Sequence, residues 1–170
     1  MRVKPVVPNT RPEIADIENE IIRTRGKVPL LYQVLLNSPD FAQGWEKLLT
    51  AVRHKNSLPP AVRELVMLRV AVLNATMYEF NAHGPIALEL GVSQEKIDSL
   101  RLDTLPDIYS RTETVALQMA DVMTREVVVP DSLYAQVEKE FSDQQILDLT
   151  ITVGAYNMVC RVLTALEIGQ

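Results

Sequence analysis

The sequence predicts an all-α protein built as a helical bundle. Apolar residues recur three and four positions apart in successive segments, which is the spacing of an amphipathic helix. No segment shows the apolar–polar alternation that is typical of a half-buried strand. Hydrophobic residues make up 47% of the 170 positions and charged residues 23%, a composition that supplies a core and argues against disorder. We therefore expect a single domain over residues 1–170.

Prolines and glycines mark where the predicted helices begin and end. Pro12, Pro39 and Pro60 lie in first turns, where a missing backbone N–H is tolerated, and Gly26 and Gly91 follow last turns. Residues 1–10 contain two prolines, so we expect an extended arm there. The predicted helices cover residues 10–26, 29–36, 38–52, 58–73, 76–91, 93–100, 112–124, 131–141 and 142–167.

Two of the predicted helices, those from Leu58 and from Asp143, are apolar on nearly every side. They also form a weak internal helical repeat, in which Glu64–Leu65 corresponds to Asp148–Leu149. A helix that is apolar all round has to be covered by its own chain or by another chain. We therefore expect both helices in the core, with part of their surface covered in a homo-oligomer.

Composition also restricts the class of function. The formal net charge of −5 argues against a nucleic-acid partner, because phosphates require a basic face. No apolar run reaches about 18 residues and the first residues lack the apolar core of a signal peptide, so we expect no membrane segment and a cytoplasmic location. The single cysteine, Cys160, excludes an intrachain disulfide and a thiolate metal cluster within one chain. We expect it to be a small buried hydrophobe, and we expect no metal.

The segment from Leu58 to Leu90 concentrates acid–base groups in an apolar background. Glu79 and His83 are four residues apart and therefore share one helix face, and Glu64 lies on the preceding helix. The pair could be a surface ion pair, or Glu79 could belong to a capping box begun three residues earlier. In a partly dry pocket, however, a carboxylate beside an imidazole supplies a base and an acid near neutral pH.

The stretch RELVMLRVAVLNATMYEFNAHGP resembles the carboxymuconolactone decarboxylase family, which shares the alkylhydroperoxidase D-like fold. The similarity extends over about residues 30–166. In the peroxidase branch of this fold a glutamate is followed by Cys-x-x-Cys and then by a histidine four positions later. Glu64 and His83 match that glutamate and histidine, whereas Thr76 and Glu79 occupy the cysteine positions. The chain therefore resembles the decarboxylase-type branch, which lacks the paired thiols.

This resemblance implies a symmetric trimer or hexamer of all-α protomers that binds a small-molecule substrate and needs no external cofactor. It implies that Glu79 and His83 transfer protons and that Glu64 relays protons or orients the imidazole. We therefore expect a lyase that acts on a small carboxylated lactone or keto acid. Two alternatives stay open, a non-catalytic oligomeric protein that binds small molecules and an alkylhydroperoxidase-like peroxidase.

Three polar residues on the last predicted helix, Tyr156, Asn157 and Arg161, are candidates for substrate binding. If Arg161 is buried on that apolar helix, it needs a partner. The partner could be an internal carboxylate such as Glu64 or Glu79. It could equally be a substrate carboxylate, which a guanidinium binds through two parallel hydrogen bonds.

Overall fold

The computed structural model describes residues 1–169, and within them the chain is entirely helical apart from turns and connecting segments. A short 3-10 helix at Pro12–Ile14 precedes nine α-helices, and the described residues contain no strand. The all-α prediction is confirmed. The helices are α1 (Ala15–Arg25), α2 (Leu30–Leu35), α3 (Pro39–His54), α4 (Pro60–Leu73), α5 (Met77–Glu89), α6 (Gln94–Ser99), α7 (Arg111–Arg125), α8 (Asp131–Glu140) and α9 (Asp143–Leu166).

The chain divides into two compact units. The first contains Met1–Lys55, with helices α1 to α3, together with the chain from Leu163 onward. The second contains Asn56–Val162, with helices α4 to α8 and most of α9. All of the candidate site residues predicted from the sequence belong to the second unit.

In the first unit the extended arm, residues 1–10, is bonded to its own chain. The backbone N–H of Arg2 donates to the carbonyl oxygen of Leu166 at 2.8 Å, and that of Val6 donates to the carbonyl oxygen of Gln33 at 2.8 Å. These backbone bonds hold the arm on the unit despite its prolines, and α1 and α2 both pack on α3.

In the second unit α4 is the central helix. Its residues 64–71 are all buried, and α5 and α7 pack against it, whereas α6 packs on α5 and α8 on α7. The start of α9 is bonded to the segment before α4, because the Asp148 carboxylate accepts hydrogen bonds from the backbone N–H and the hydroxyl of Ser57 at 2.7 and 2.6 Å. The expectation that α4 is buried in the core is therefore confirmed.

Helix α9 is long and apolar, as expected, but it also meets the length and composition of a membrane-spanning helix, which was not expected. It contains an 18-residue window with a mean hydropathy of 1.4, so by length and composition it could cross a membrane. Half of that window is buried inside the protein, as in the core helix of a soluble bundle. Polar residues such as Thr152 and Asn157 interrupt this helix, so it contains no run of about 18 consecutive apolar residues.

Candidate acid–base site

The turn between α4 and α5 brings the acid–base groups together. Ala75 has a φ of 54°, a left-handed conformation that reverses the chain within a few residues. The backbone N–H of Thr76 then donates to the carbonyl oxygen of Ala71 at 2.8 Å and closes the turn. Because α5 packs back on α4, His83 comes to lie directly opposite Glu64.

His83 has a hydrogen-bonding group at each ring nitrogen. Its Nδ1 lies 2.6 Å from Oε2 of Glu64, and its Nε2 lies 2.9 Å from the hydroxyl of Tyr156 on α9. Oε2 of Glu79, one helical turn before His83, lies 3.4 Å from the same Nε2. All four residues are buried. Since a carboxylate only accepts, Nδ1–H donates to Glu64, and Nε2 is the nitrogen at which the imidazole gains or loses its proton.

The two carboxylates determine the charge of the imidazole. Burial alone lowers the pKa of His83, but the hydrogen bonds and negative charges of Glu64 and Glu79 outweigh burial and raise that pKa above its usual value. The second oxygen of Glu64 lies 3.5 Å from Nε of Arg63, which adds a cation beside the pair. The site is therefore arranged to hold a protonated histidine between carboxylates.

Neither non-catalytic interpretation of Glu79 fits the structure. Thr76 occupies the N-cap position of α5 but makes no side-chain capping bond, and its hydroxyl donates to the carbonyl oxygen of Asn74 at 3.1 Å. The capping box that was one alternative for Thr76 and Glu79 is thus absent from the described α5 terminus. A surface ion pair is also ruled out, because only 10% of the Glu79 side chain and 3% of the His83 side chain are exposed.

The candidates on α9 separate into different roles. Tyr156 lies against His83, with the two rings edge to face and their centroids 5.1 Å apart. Arg161 is exposed, so it does not require an internal carboxylate, and its Nη1 donates to Oδ1 of Asn157 at 2.8 Å. Asn157 is buried, and its amide also bonds Asn74 at 3.1 Å and Thr124 at 2.9 Å.

Sequence reasoning placed Tyr156 among the substrate-binding residues and missed its bond to the histidine. Tyr156 is far from His83 along the chain, so no local spacing links them. The available signal was a tyrosine on a largely apolar helix, since a buried hydroxyl needs a hydrogen-bonding partner.

Cys160 is fully buried, as expected from the sequence. Burial raises the pKa of its thiol to about 12, although a hydrogen bond with Thr76 acts in the opposite direction. At neutral pH this thiol is therefore protonated and a poor nucleophile. Within residues 1–169 no three His, Cys, Asp or Glu side chains are placed to hold a metal ion.

Similar solved structures define the class of fold. An uncharacterized peroxidase-related protein from Ralstonia eutropha JMP134, an alkylhydroperoxidase AhpD core structure, matches with a TM-score of 0.84 and 18% identity, covering 98% of this chain and 90% of that chain. The debrominase Bmp8 matches with a TM-score of 0.80 and 15% identity, covering 97% and 89% of the two chains. The chain therefore has the AhpD-like all-helical fold.

The sequence comparisons support the family resemblance. Residues 39–122 match the model of the carboxymuconolactone decarboxylase family, the family that the sequence resemblance indicated. The uncharacterized protein YdfG of Bacillus subtilis (strain 168) is 27% identical over 114 residues, which are 66% of this chain and 78% of that protein. The matched segment contains Glu64, Glu79 and His83, but it is shorter than the 30–166 span expected and does not reach Tyr156.

Proposed function

We propose that this chain is an acid–base enzyme, similar to carboxymuconolactone decarboxylase, that acts on a small carboxylated lactone or keto acid. The observation that carries the proposal is the buried row of Glu64, His83 and Glu79, with distances of 2.6 and 3.4 Å from the imidazole nitrogens to the carboxylates. A histidine held in this way supplies a proton near neutral pH and takes one back.

Decarboxylation defines what each group has to do. The bond between the carboxylate carbon and its neighbour breaks, carbon dioxide leaves, and the electron pair remains on the substrate as an enolate. Nε2–H of His83 then supplies a proton to that carbanion, while Glu64 retains Nδ1–H and stabilises the imidazolium before the transfer. Glu79 has the most exposed side chain of the three, which suits a group that contacts the substrate and guides the proton.

The test is turnover of a panel of β-keto acids and carboxylated lactones, followed by release of carbon dioxide. Glu79→Gln and His83→Asn should each lower kcat by about 10²–10⁴-fold, the usual contribution of general acid–base catalysis. His54→Asn is the matched control because it removes the chain's other histidine, which is exposed. Near-wild-type rates in both site variants would remove the proposal. Binding of these compounds without turnover would favour the non-catalytic alternative.

We further propose that the enzyme acts as a cytoplasmic homo-oligomer, a trimer or hexamer. The support is apolar surface on the two helices that hold most of the site. Leu147 and Ile151 on α9 are 61% and 44% exposed, and Met77 and Leu88 on α5 are 43% and 45% exposed. Exposed apolar side chains of this kind are commonly covered by a second subunit.

A further inference from the structure

A cleft whose lining includes none of the acid–base residues has three arginines among its seven lining residues. It has a volume of about 370 Å³ and is lined by Arg69, Val72 and Leu73 of α4, by Arg101 and Asp103 of the segment after α6, and by Arg125 of α7. That volume falls within the range of small-molecule sites. A basic cleft is unexpected on a chain whose net charge is −5.

Arg69 lines this cleft, and its positive charge is neutralised by an ion pair with Asp121. Its guanidinium forms two parallel bonds of 2.6 and 2.7 Å with the carboxylate of Asp121. Its Nη1 also donates to the carbonyl oxygens of Leu100 and Leu102 at 2.6 and 2.8 Å. This buried side chain therefore fixes the segment that carries Arg101 onto α4.

The remaining two arginines retain their charge. Arg101 and Arg125 are exposed, and neither forms an ion pair with a carboxylate in the described part of the chain. The guanidinium of Arg101 lies over the ring of Phe80, with its central carbon 4.4 Å from the ring centroid, which restricts its orientation. Asp103 is the acidic residue that lines the cleft, so the two free guanidinium groups leave an excess of positive charge.

We propose that this cleft binds the oxyanion group, a carboxylate or a phosphate, of a small molecule. The guanidinium groups of Arg101 and Arg125 bind the oxyanion, because a planar guanidinium matches a carboxylate or phosphate with two parallel hydrogen bonds. Val72 and Leu73 line the cleft beside these arginines, next to the body of the ligand. Binding here does not depend on the reaction proposed for the acid–base site.

Calorimetric titration with phenyl phosphate, benzoate and inorganic phosphate, at fixed ionic strength, tests the proposal. Benzyl alcohol serves as the neutral analogue. We expect saturable binding of phenyl phosphate and benzoate and none of benzyl alcohol. The double variant Arg101→Gln/Arg125→Gln should bind the anions at least about tenfold more weakly. The control Arg11→Gln/Arg23→Gln, which removes two exposed charges elsewhere, should bind as the wild type does.

The Asp103→Asn variant should change the affinity for anions in the opposite direction, and it keeps both arginines. It removes a negative charge from the cleft, so the anions should bind more tightly. If phenyl phosphate binds better than benzoate, the cleft prefers a phosphate group, and the reverse order shows a preference for a carboxylate. The proposal is overturned if no anion binds saturably, if the arginine double variant keeps wild-type affinity, or if Asp103→Asn binds more weakly.

Discussion

At the scale of single residues, the raised pKa of His83 connects the site with folding stability. In the unfolded chain the pKa of this histidine is about 6.5, and in the folded protein it is higher. The interaction of the protonated ring with Glu64 and Glu79 therefore stabilises the fold fully below about pH 6.5 and is lost as the pH rises through the folded-state pKa. Urea denaturation at a series of pH values should show the free energy of unfolding falling over that interval.

Removal of one carboxylate should weaken this pH dependence. Glu64→Gln leaves an amide oxygen that still accepts Nδ1–H but removes the charge, so the free energy of unfolding should fall less steeply. Glu89→Gln, an exposed change on the same helix as His83, should keep the wild-type slope. If the free energy of unfolding depends on pH equally steeply in Glu64→Gln and the wild type, the contact between Glu64 and His83 does not raise the pKa of His83.

The thiol of Cys160 offers a separate test against the peroxidase alternative. Because the thiol is buried and its pKa is about 12, it should react with a thiol reagent at pH 7 only after the chain is unfolded. Peroxide should leave the thiol count of the folded protein unchanged. Rapid labelling of the native protein, together with sustained peroxide consumption, would restore thiol chemistry as a candidate activity.

Sequence alone indicated Glu64, Glu79 and His83, because two of them share a helix face and all three fall in the stretch that resembles the family. One alternative that the sequence left open, a capping box between Thr76 and Glu79, is not formed. The left-handed Ala75 redirects the chain there, and the threonine hydroxyl turns to Asn74 instead. Side-chain hydrogen bonds across a tight turn depend on the backbone angles, and residue spacing alone does not predict those angles.

At the scale of elements, the connection between α7 and α8 contains a strained residue. Val127 has a φ of 70°, a conformation that is unfavourable for a β-branched side chain, and it is 80% exposed. Val127→Gly should relieve the strain without loss of buried surface and raise the free energy of unfolding by about 1 kcal/mol. Thermal or urea denaturation measures the change.

The neighbouring residue provides the control. Val128 is also exposed, at 71%, and its φ is not positive. Val128→Gly should therefore lower stability by roughly 0.5–1 kcal/mol, because glycine has more conformational freedom in the unfolded chain. If both glycine variants are destabilised equally, the left-handed conformation of Val127 stores no strain.

Helix boundaries followed from the sequence with small shifts, because prolines and serines mark the starts. The start of α7 is an example of a helix boundary that was predicted one residue too late. It was predicted at Thr112, whereas the helix begins at Arg111 after a capping box formed by Ser110 and Glu113. The Ser-x-x-Glu spacing that signals this cap was present in the sequence.

At the scale of the whole molecule, the exposed apolar residues of α5 and α9 lead to a prediction about assembly. Light scattering coupled to gel filtration at micromolar concentration should give about three or six times the 19.1 kDa mass of the chain. Leu147→Glu should lower that mass, because it introduces a charge into the apolar surface of α9. Val128→Glu, an equally large change at an exposed position outside these two helices, should not. A wild-type mass near that of one chain would refute the assembly.

The side-chain amide of Asn157 connects helices of the second unit other than α5. It bonds Asn74 after α4, Thr124 on α7 and Arg161 on α9, and none of these partners belongs to α5. Substitutions at Glu79 or elsewhere on α5 therefore leave this cross-link intact. The helices around α5 therefore stay tied together when the side chain at position 79 changes.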